Sequence, residues 1–318
     1  MRKITVVIPC YNAEAYIERT LEALERQEFR DFCVICVDDC STDHTAERIL
    51  AFRERKTLDI NLLTNQKNSG PAVSRNRGVA CADSEYIAFC DGDDWYEPDF
   101  LSRMFRTATE ENADLVFCGY QVVNERGKTE RRPISPEGRL SLTDALCACP
   151  DSMCMILVRT PLMKATPLPD IRNGEDAATV PLLAAKANIA VAIPDCLYNY
   201  YRRSGSASQK PTMKVVDSLI SAFEYVKKNF PAGHSEELEF LGVKNMLYPA
   251  IITLFSIGYE KKRAEEIIAA FSRDFPGWHE NTHLPELSGY KKLVVRLLYR
   301  RWYVFVRLIA VVRKIVSK

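Results

Sequence analysis

No G-x-G-x-x-G turn and no G-x-x-x-x-G-K-[ST] loop occurs in these 318 residues. Their absence argues against a dinucleotide-dependent dehydrogenase and against a P-loop enzyme. No second Cys pair or nearby His pair accompanies Cys33-x-x-Cys36, which lies inside the apolar run Phe32-Cys33-Val34-Ile35-Cys36-Val37. That spacing therefore belongs to a packed strand rather than to a zinc or redox centre. There is no internal repeat and no low-complexity tract, and 47% hydrophobic with 27% charged residues excludes a disordered or fibrous chain. Acidic residues are missing from 290–318, which holds nine basic ones, while the rest of the chain has 34 basic against 42 acidic residues, a net of −8. Such a balance points to a C-terminal segment that docks on something anionic and gives no reason to expect nucleic acid as a partner.

What is present is chain enough for about two domains at roughly 150 residues each. Eleven cysteines, an odd number set mostly in apolar runs, read as buried thiols in a reducing compartment. The stretch Ile4 to Ile8 is broken by Pro9 and followed by Asn12 and Glu14, so it reads as a strand and not as a signal peptide. The expected location is the cytoplasm.

Up to about residue 123, short apolar runs alternate with helical periodicity, the pattern of parallel strands joined by crossover helices. The spacing predicts strands at 4–9, 32–38, 59–64, 85–90 and 114–123. Ile17, Leu21 and Leu24 repeat at helical spacing, and Thr45 to Phe52 and Pro71 to Ala80 also suit helices. A hairpin and loop follow over 124–150, with a helix near Thr143 to Cys149. Ser152 to Val158 predicts a strand, Asp176 to Lys186 a helix and Ile189 to Ile193 a strand, before helices near 212–229, 235–258 and 261–274.

Four polar clusters fall where strands end, and in an open parallel sheet the ligand crevice lies outside those carboxyl ends. After the first strand comes Pro9-Cys10-Tyr11-Asn12-Ala13-Glu14: Pro9 stiffens the exit, Tyr11 offers a flat face to a base, and Asn12 either caps a helix or meets a ligand. After the second comes Asp38-Asp39-Cys40-Ser41-Thr42-Asp43, where a carboxylate can accept a uracil imide or a ribose hydroxyl, while Ser41 and Asp43 suit a turn and cap. Asn68 to Gly78 carries Arg75 into the next helix, to pair with phosphate or with a neighbouring Asp. After the fourth strand, Asp91-Gly92-Asp93-Asp94 gathers three carboxylates that repel one another unless a hard cation such as Mg²⁺ or Mn²⁺ sits among them. Further on, Gly174-Glu175-Asp176 opens a helix, where a carboxylate either takes a proton from an acceptor hydroxyl or caps the helix.

Together, Val6 to Asn12, Val37 to Asp43, Asn68 to Gly78, Cys90 to Trp95 and Gly174 to Asp176 resemble the inverting family 2 glycosyltransferases of the GT-A fold, bacterial polysaccharide-biosynthesis type. The resemblance implies an α/β GT-A domain, a mixed sheet flanked by helices over 1–210, with a nucleotide-binding half to about 123 and an acceptor half over 124–210. A helical region would occupy 211–289. It implies a UDP-sugar donor, Mn²⁺ or Mg²⁺, and a glycan or lipid-linked acceptor. Tyr11 would stack on the base with Pro9 and Asn12 shaping the pocket; Asp38, beside Asp39, would read it; Arg75 would support the donor site. Asp91 would lie near ribose and sugar, Asp93 would hold the metal, and Asp176 would be the catalytic base. Tyr201, Arg202, Arg203 and Ser206 resemble the loop that closes over the diphosphate. The chain departs from the family pattern at Met155 to Arg159, which lacks a polar pair, and at Arg202-Arg203, which lacks a histidine.

At about 100° per residue, a single helix over 290–318 gathers Lys292, Arg296, Arg300, Arg307, Lys314 and Lys318 into a roughly 80° wedge on a wide apolar body. That suits a helix lying on a membrane surface, here the inner face of the cell membrane, and its charges are too frequent for a spanning one. The alternatives are packing on its own domain or on a second copy in a homodimer. Two rival functions remain at this level: a non-catalytic nucleotide-sugar-binding subunit, and a nucleotidyltransferase, which wants glycine and basic residues in the loop Pro9 to Glu14 that has neither.

Overall fold

The computed structural model describes residues 2–202, 211–287 and 289–316. The chain divides into two compact units, Met1–Ser206 and Ala207–Lys318. In the first, Ile4–Cys10 (β1), Phe32–Asp38 (β2), Ile60–Thr64 (β3) and Tyr86–Phe89 (β4) run parallel in the order β3-β2-β1-β4. Ile17–Glu25 (α1), Thr45–Arg53 (α2) and Pro71–Cys81 (α3) are the crossovers. β1 and β4 are buried almost throughout, as strands covered on both faces must be.

Beyond β4 the sheet becomes mixed, through Trp95–Tyr96 (β5), Leu115–Asn124 (β6), Thr129–Arg132 (β7), Gly138–Leu140 (β8), Ile156–Arg159 (β9) and Ala190–Arg202 (β10). β9 lies antiparallel between β4 and β6, and β10 runs parallel to β6. Phe100–Glu110 (α4), Leu142–Ala148 (α5), Thr160–Lys164 (α6) and Glu175–Lys186 (α7) complete the unit. α5 begins at a capping box in which Ser141 Oγ accepts the Asp144 N–H at 3.1 Å and the Asp144 carboxylate accepts the Ser141 N–H at 3.3 Å.

Two expectations shift. Met153–Met155 is a 3₁₀ turn and only Ile156–Arg159 is extended, because Ser152 Oγ accepts the Cys154 N–H at 3.3 Å and turns the chain. The strand predicted at Ile189–Ile193 continues to Arg202, since register shifts between Ile193 and Tyr198 absorb Pro194 as a bulge. α3 lies so close to β1 that a Cβ on Gly78 would collide with the Val7 side chain. This approach aims Arg75, one turn earlier on the same face, at the carboxyl ends of the strands. All eleven cysteines are free and seven are buried.

The second unit is helical: Met213–Asn229 (α8), Ser235–Gly242 (α9), Tyr248–Ile257 (α10), Lys261–Asp274 (α11), Gly289–Tyr299 (α12) and Tyr303–Val316 (α13). A π-helical turn at Val243–Leu247 joins α9 to α10. The run Ser235–Ile257 is long and apolar enough to cross a bilayer, yet 67% of its most apolar window is buried. α8, α11, α12 and α13 all touch α10, which makes that run the core helix of the unit.

The single helix predicted over 290–318 is broken. Arg301 adopts φ +57°, its N–H bonds Leu298 C=O at 3.0 Å, and the Trp302 N–H bonds Leu297 C=O at 2.9 Å. This is a Schellman ending, a motif glycine usually supplies; a side chain in that conformation costs roughly 1–2 kcal/mol. With neither Gly nor Pro at 300–302, no sequence signal marks the break. The continuous basic wedge does not survive it, because α13 restarts on its own axis.

Candidate active site

The loops after β1 and β2 are stitched together by side chains the motifs contain. Asn12, at φ +48°, donates its N–H to Ser41 Oγ at 3.0 Å and accepts the Thr42 N–H on Oδ1 at 2.9 Å. It caps no helix, since α1 starts only at Ile17. Glu14 accepts the His44 N–H at 2.9 Å, and Asp43 accepts from the Glu14 N–H and from Thr45 Oγ1. Burial opposes ionisation of Asp43, but these donors hold its carboxyl below the ordinary value. Tyr11 stands clear of this lacing, 48% exposed, and Pro9 pairs with Val37 at the strand exit.

Asp38 and Asp39 are both buried but do different work. Asp38 accepts the Ser41 N–H at 3.3 Å on each oxygen. Asp39 accepts from Asn65 Nδ2 at 2.7 Å and from the backbone N–H groups of Ser69 and Gly70 at 2.9 and 2.7 Å. Asp39 thereby ties down the loop that starts α3, where Gly70 at φ +92° and Pro71 set the first turn.

That helix delivers Arg75 into a cluster of carboxylates. Its guanidinium meets Asp91 at 2.7 Å, Glu175 at 3.1 Å and Asp176 at 3.3 Å. Residues 16, 100 and 101 positions away in sequence thus converge on one buried cation. Burial alone would disfavour the charged guanidinium, but Asp176 and Asp91 raise its pKa well above the ordinary value. Glu175 Oε2 turns back to the Gly174 N–H at 3.0 Å, while the other oxygen of Asp176 accepts the Met153 N–H at 3.2 Å. Asp176 therefore does not cap α7. Burial, together with Glu175 and Asp91 and against the pull of Arg75, lifts its carboxyl to about 6. A carboxylate that titrates near neutral pH, with 24% of its side chain open to solvent, is suited to accept a proton from a hydroxyl.

The three carboxylates at 91–94 divide. Asp91 is 38% exposed at its side chain and Asp93 is half-buried, whereas Asp94 is buried and points inward. Asp94 accepts the Tyr198 hydroxyl and, at 2.7 Å, the Tyr201 N–H, fastening β10 to the loop. Burial first, and Asp91 and Asp93 next, push its carboxyl well above the usual range. Within the cluster, Asp91 is thus paired with Arg75 while Asp94 is turned away into the hydrogen bonds of β10. Arg19 of α1 also acts here. Its guanidinium lies 4.1 Å from the Trp95 ring centroid and 4.3 Å from that of Tyr201, and it donates to Asp93 C=O at 2.6 Å. Thr20 Oγ1 donates to the neighbouring carbonyls of Gly92 and Asp94. Nothing in the sequence distinguishes Arg19 from an ordinary charge on the outer face of an amphipathic helix. Arg202 is exposed at the end of β10; Arg203 and Ser206 lie outside the described residues.

Among the described residues no three His, Cys, Asp or Glu side chains form a cation cage. The donor set nevertheless fits Mg²⁺ or Mn²⁺ in the manner such ions usually adopt, with one or two carboxylates and the rest from substrate phosphates. Asp91 and Asp93 are two partly open carboxylates at a strand end, and the Arg75 cluster has three acids to one cation.

Comparison with known proteins fits this geometry. The pattern of Glycosyl transferase family 2 matches residues 5–159. A Bacillus subtilis protein named for teichuronic acid biosynthesis, glycosyltransferase TuaG, is 31% identical over 205 residues, 64% of this chain and 81% of TuaG. Staphylococcus aureus TarS, a poly(ribitol-phosphate) β-N-acetylglucosaminyltransferase, is 27% identical over 76% of this chain, which spans only 44% of TarS. The crystal structure of TarS 1-349 with UDP-GlcNAc superposes with a TM-score of 0.74 at 20% identity, covering 96% of this chain and 89% of that one. A mannosyltransferase of Pyrobaculum calidifontis with GDP-Man and Mn²⁺ follows at 0.56 and 15%, covering 98% and 88%. The sheet, its strand-end clusters and these relatives together establish that the chain belongs to glycosyl transferase family 2, has the GT-A fold with a helical C-terminal region, and is a glycosyltransferase.

Proposed function

We propose that this enzyme moves a hexose or N-acetylhexosamine from a UDP-sugar to a glycan or lipid-linked acceptor in cell-surface polysaccharide synthesis, inverting the anomeric carbon. The observation that carries this reading is the meeting of Asp91 and Asp176 on Arg75. A donor-side carboxylate and a carboxyl held near 6 thereby share one cation. Asp176 takes the proton of the acceptor hydroxyl, whose oxygen attacks opposite the departing diphosphate. Tyr11, with Pro9 and Asn12, receives the base; Asp38 accepts from its imide or from the ribose; Asp39 keeps the α3 loop in position. Arg202 and Arg203 neutralise the diphosphate. Asp93, with Asp91, would hold Mn²⁺ or Mg²⁺, which when bound stabilises the charge growing on the leaving group. TuaG, named for teichuronic acid biosynthesis, and TarS, named as a poly(ribitol-phosphate) β-N-acetylglucosaminyltransferase, support the pathway class, and the UDP-GlcNAc held by TarS supports the donor.

In this reading residues 1–210 are the catalytic domain, 211–289 a helical C-terminal region, and the basic segment 290–318 keeps a cytoplasmic enzyme at the inner face of the cell membrane. The test is nucleotide release from UDP-, GDP- and dTDP-sugars with Mn²⁺, with and without EDTA, for wild type and Asp93→Ala. Hydrolysis of a UDP-sugar, lost with EDTA and in the variant, is expected. Failure to bind any nucleotide-sugar would overturn the donor reading.

A further inference from the structure

We infer that the break between α12 and α13 is a phospholipid headgroup site, set beside an apolar face that enters the bilayer. This rests on the membrane contact proposed above and names its chemistry. Nine of the fourteen exposed large apolar side chains among the described residues fall within 290–312. On α13, Tyr303, Val306 and Ala310 are buried against the unit, while Val304, Phe305, Leu308 and Val312 are exposed, Val304 by 70% and Leu308 by 61%. At about 100° per residue these two sets occupy opposite sides of the helix. Arg307 and Arg313 lie on the two borders between them.

The borders are held in place. Arg307 lies 4.9 Å from the Tyr259 ring centroid, and Arg313 donates to the Tyr248 hydroxyl at 3.1 Å. None of the ion pairs among the described residues involves Arg296, Arg300, Arg301, Arg307 or Arg313. A cavity of about 300 Å³ opens at the break, lined by Tyr259, Lys261, Arg301, Trp302 and Phe305 among others. Arg301, joined by Lys261, which also lies 3.7 Å from Glu265, stands beside half-exposed aromatic rings and an apolar helix face, which matches the boundary between phosphate headgroups and acyl chains, where Trp and Tyr concentrate. Arg301 holds the left-handed position that ends α12, where glycine would be less strained, and so places a cation at the edge of this cavity. With no acidic residue in 290–318, the complementary surface is anionic.

The experiment is sedimentation of the full chain with phosphatidylcholine vesicles, with and without about a third phosphatidylglycerol. Binding is expected only with the anionic lipid, and it should weaken as salt rises. Leu308→Glu should lower partition more than tenfold, since it takes a leucine out of the bilayer and adds a repelled charge. Arg301→Gly is the sharper variant. It relaxes the helix ending, so thermal stability should hold or rise, while partition falls about fivefold, the loss of one basic residue near an anionic surface. Equal binding to both vesicles, or an Arg301→Gly variant that partitions like wild type, overturns the headgroup site. A chain that ignores vesicles but forms a dimer broken by Leu308→Glu assigns the face to a second copy and overturns the proposal as well. Donor hydrolysis in the same samples is expected to be unchanged; its absence from wild type would strike the enzymatic reading and leave the vesicle result standing.

Discussion

Arginine serves opposite purposes in the two units. In the first, Arg75 is sealed among Asp91, Glu175 and Asp176, so its charge is consumed internally and fixes the geometry of acids that sequence separates widely. In the second, Arg307 and Arg313 rest on tyrosines and enter none of the ion pairs among the described residues, so their charge is placed to meet an external anion. The difference shows what a cation's partners reveal. Buried and surrounded by acids, it organises a site; exposed and lacking them, it marks a surface.

The largest effect expected from breaking the first arrangement follows removal of the base. Asp176→Asn keeps the shape and an acceptor oxygen for Arg75 while giving up the Met153 N–H, and should lower the rate of transfer by about a thousandfold while donor binding persists. Wild-type binding without any turnover, unchanged by the substitution, would favour a non-catalytic binding subunit. Next in size, Arg75→Met leaves three acids facing one another without their cation, and should lower stability by about 3–5 kcal/mol in denaturant titrations. A loss below about 1 kcal/mol would mean that the acids relax into solvent and that Arg75 does not organise the cluster.

These contrasts bear on what could be read without coordinates. The parallel half was legible because strands such as Ile4–Cys10 and Phe32–Asp38 are short apolar runs ending in polar motifs, and the strand-end rule then gathers Asp38, Arg75 and Asp91 at one edge. The antiparallel insertion of Ile156–Arg159 between β4 and β6 was not, since pairing partners leave no local trace. Nor could three acids within four residues show that Asp94 alone turns inward, a choice made by Tyr198 and Tyr201 more than a hundred residues away. The break at Arg301 escaped because its left-handed residue is not glycine.

Arg19 belongs to the same class of invisible residues and gives a smaller, separable effect. It joins the Asp93 carbonyl to Trp95 and Tyr201, the last residue before the two arginines proposed for the diphosphate. Arg19→Ala should raise the donor KM about tenfold, with a lesser change in kcat, through loss of two ring contacts and one hydrogen bond. Lys at this position keeps the charge but not the flat face, so it should recover only part of the loss. A fall in thermal stability with KM unmoved would make Arg19 a structural clamp alone.

The finest adjustment concerns the proton on Asp176. Its carboxyl sits at about 6 because burial, Glu175 and Asp91 outweigh Arg75. Activity should therefore fall below pH 6, where the base becomes protonated. Stability runs the other way: a carboxyl raised above its unfolded value favours the fold at pH below about 4, and that contribution is lost as pH rises through about 6. Glu175→Gln removes one neighbouring negative charge while its carbonyl oxygen can still accept from Arg75, so the acid limb of kcat/KM should move to lower pH. At pH 6 half of Asp176 is ionised, which limits the gain there to about twofold, and well above pH 7 the variant should match wild type. An acid limb that stays in place in Glu175→Gln would show that a group outside the Arg75 cluster governs the pH profile, and would remove the main physical reason for assigning proton transfer to Asp176.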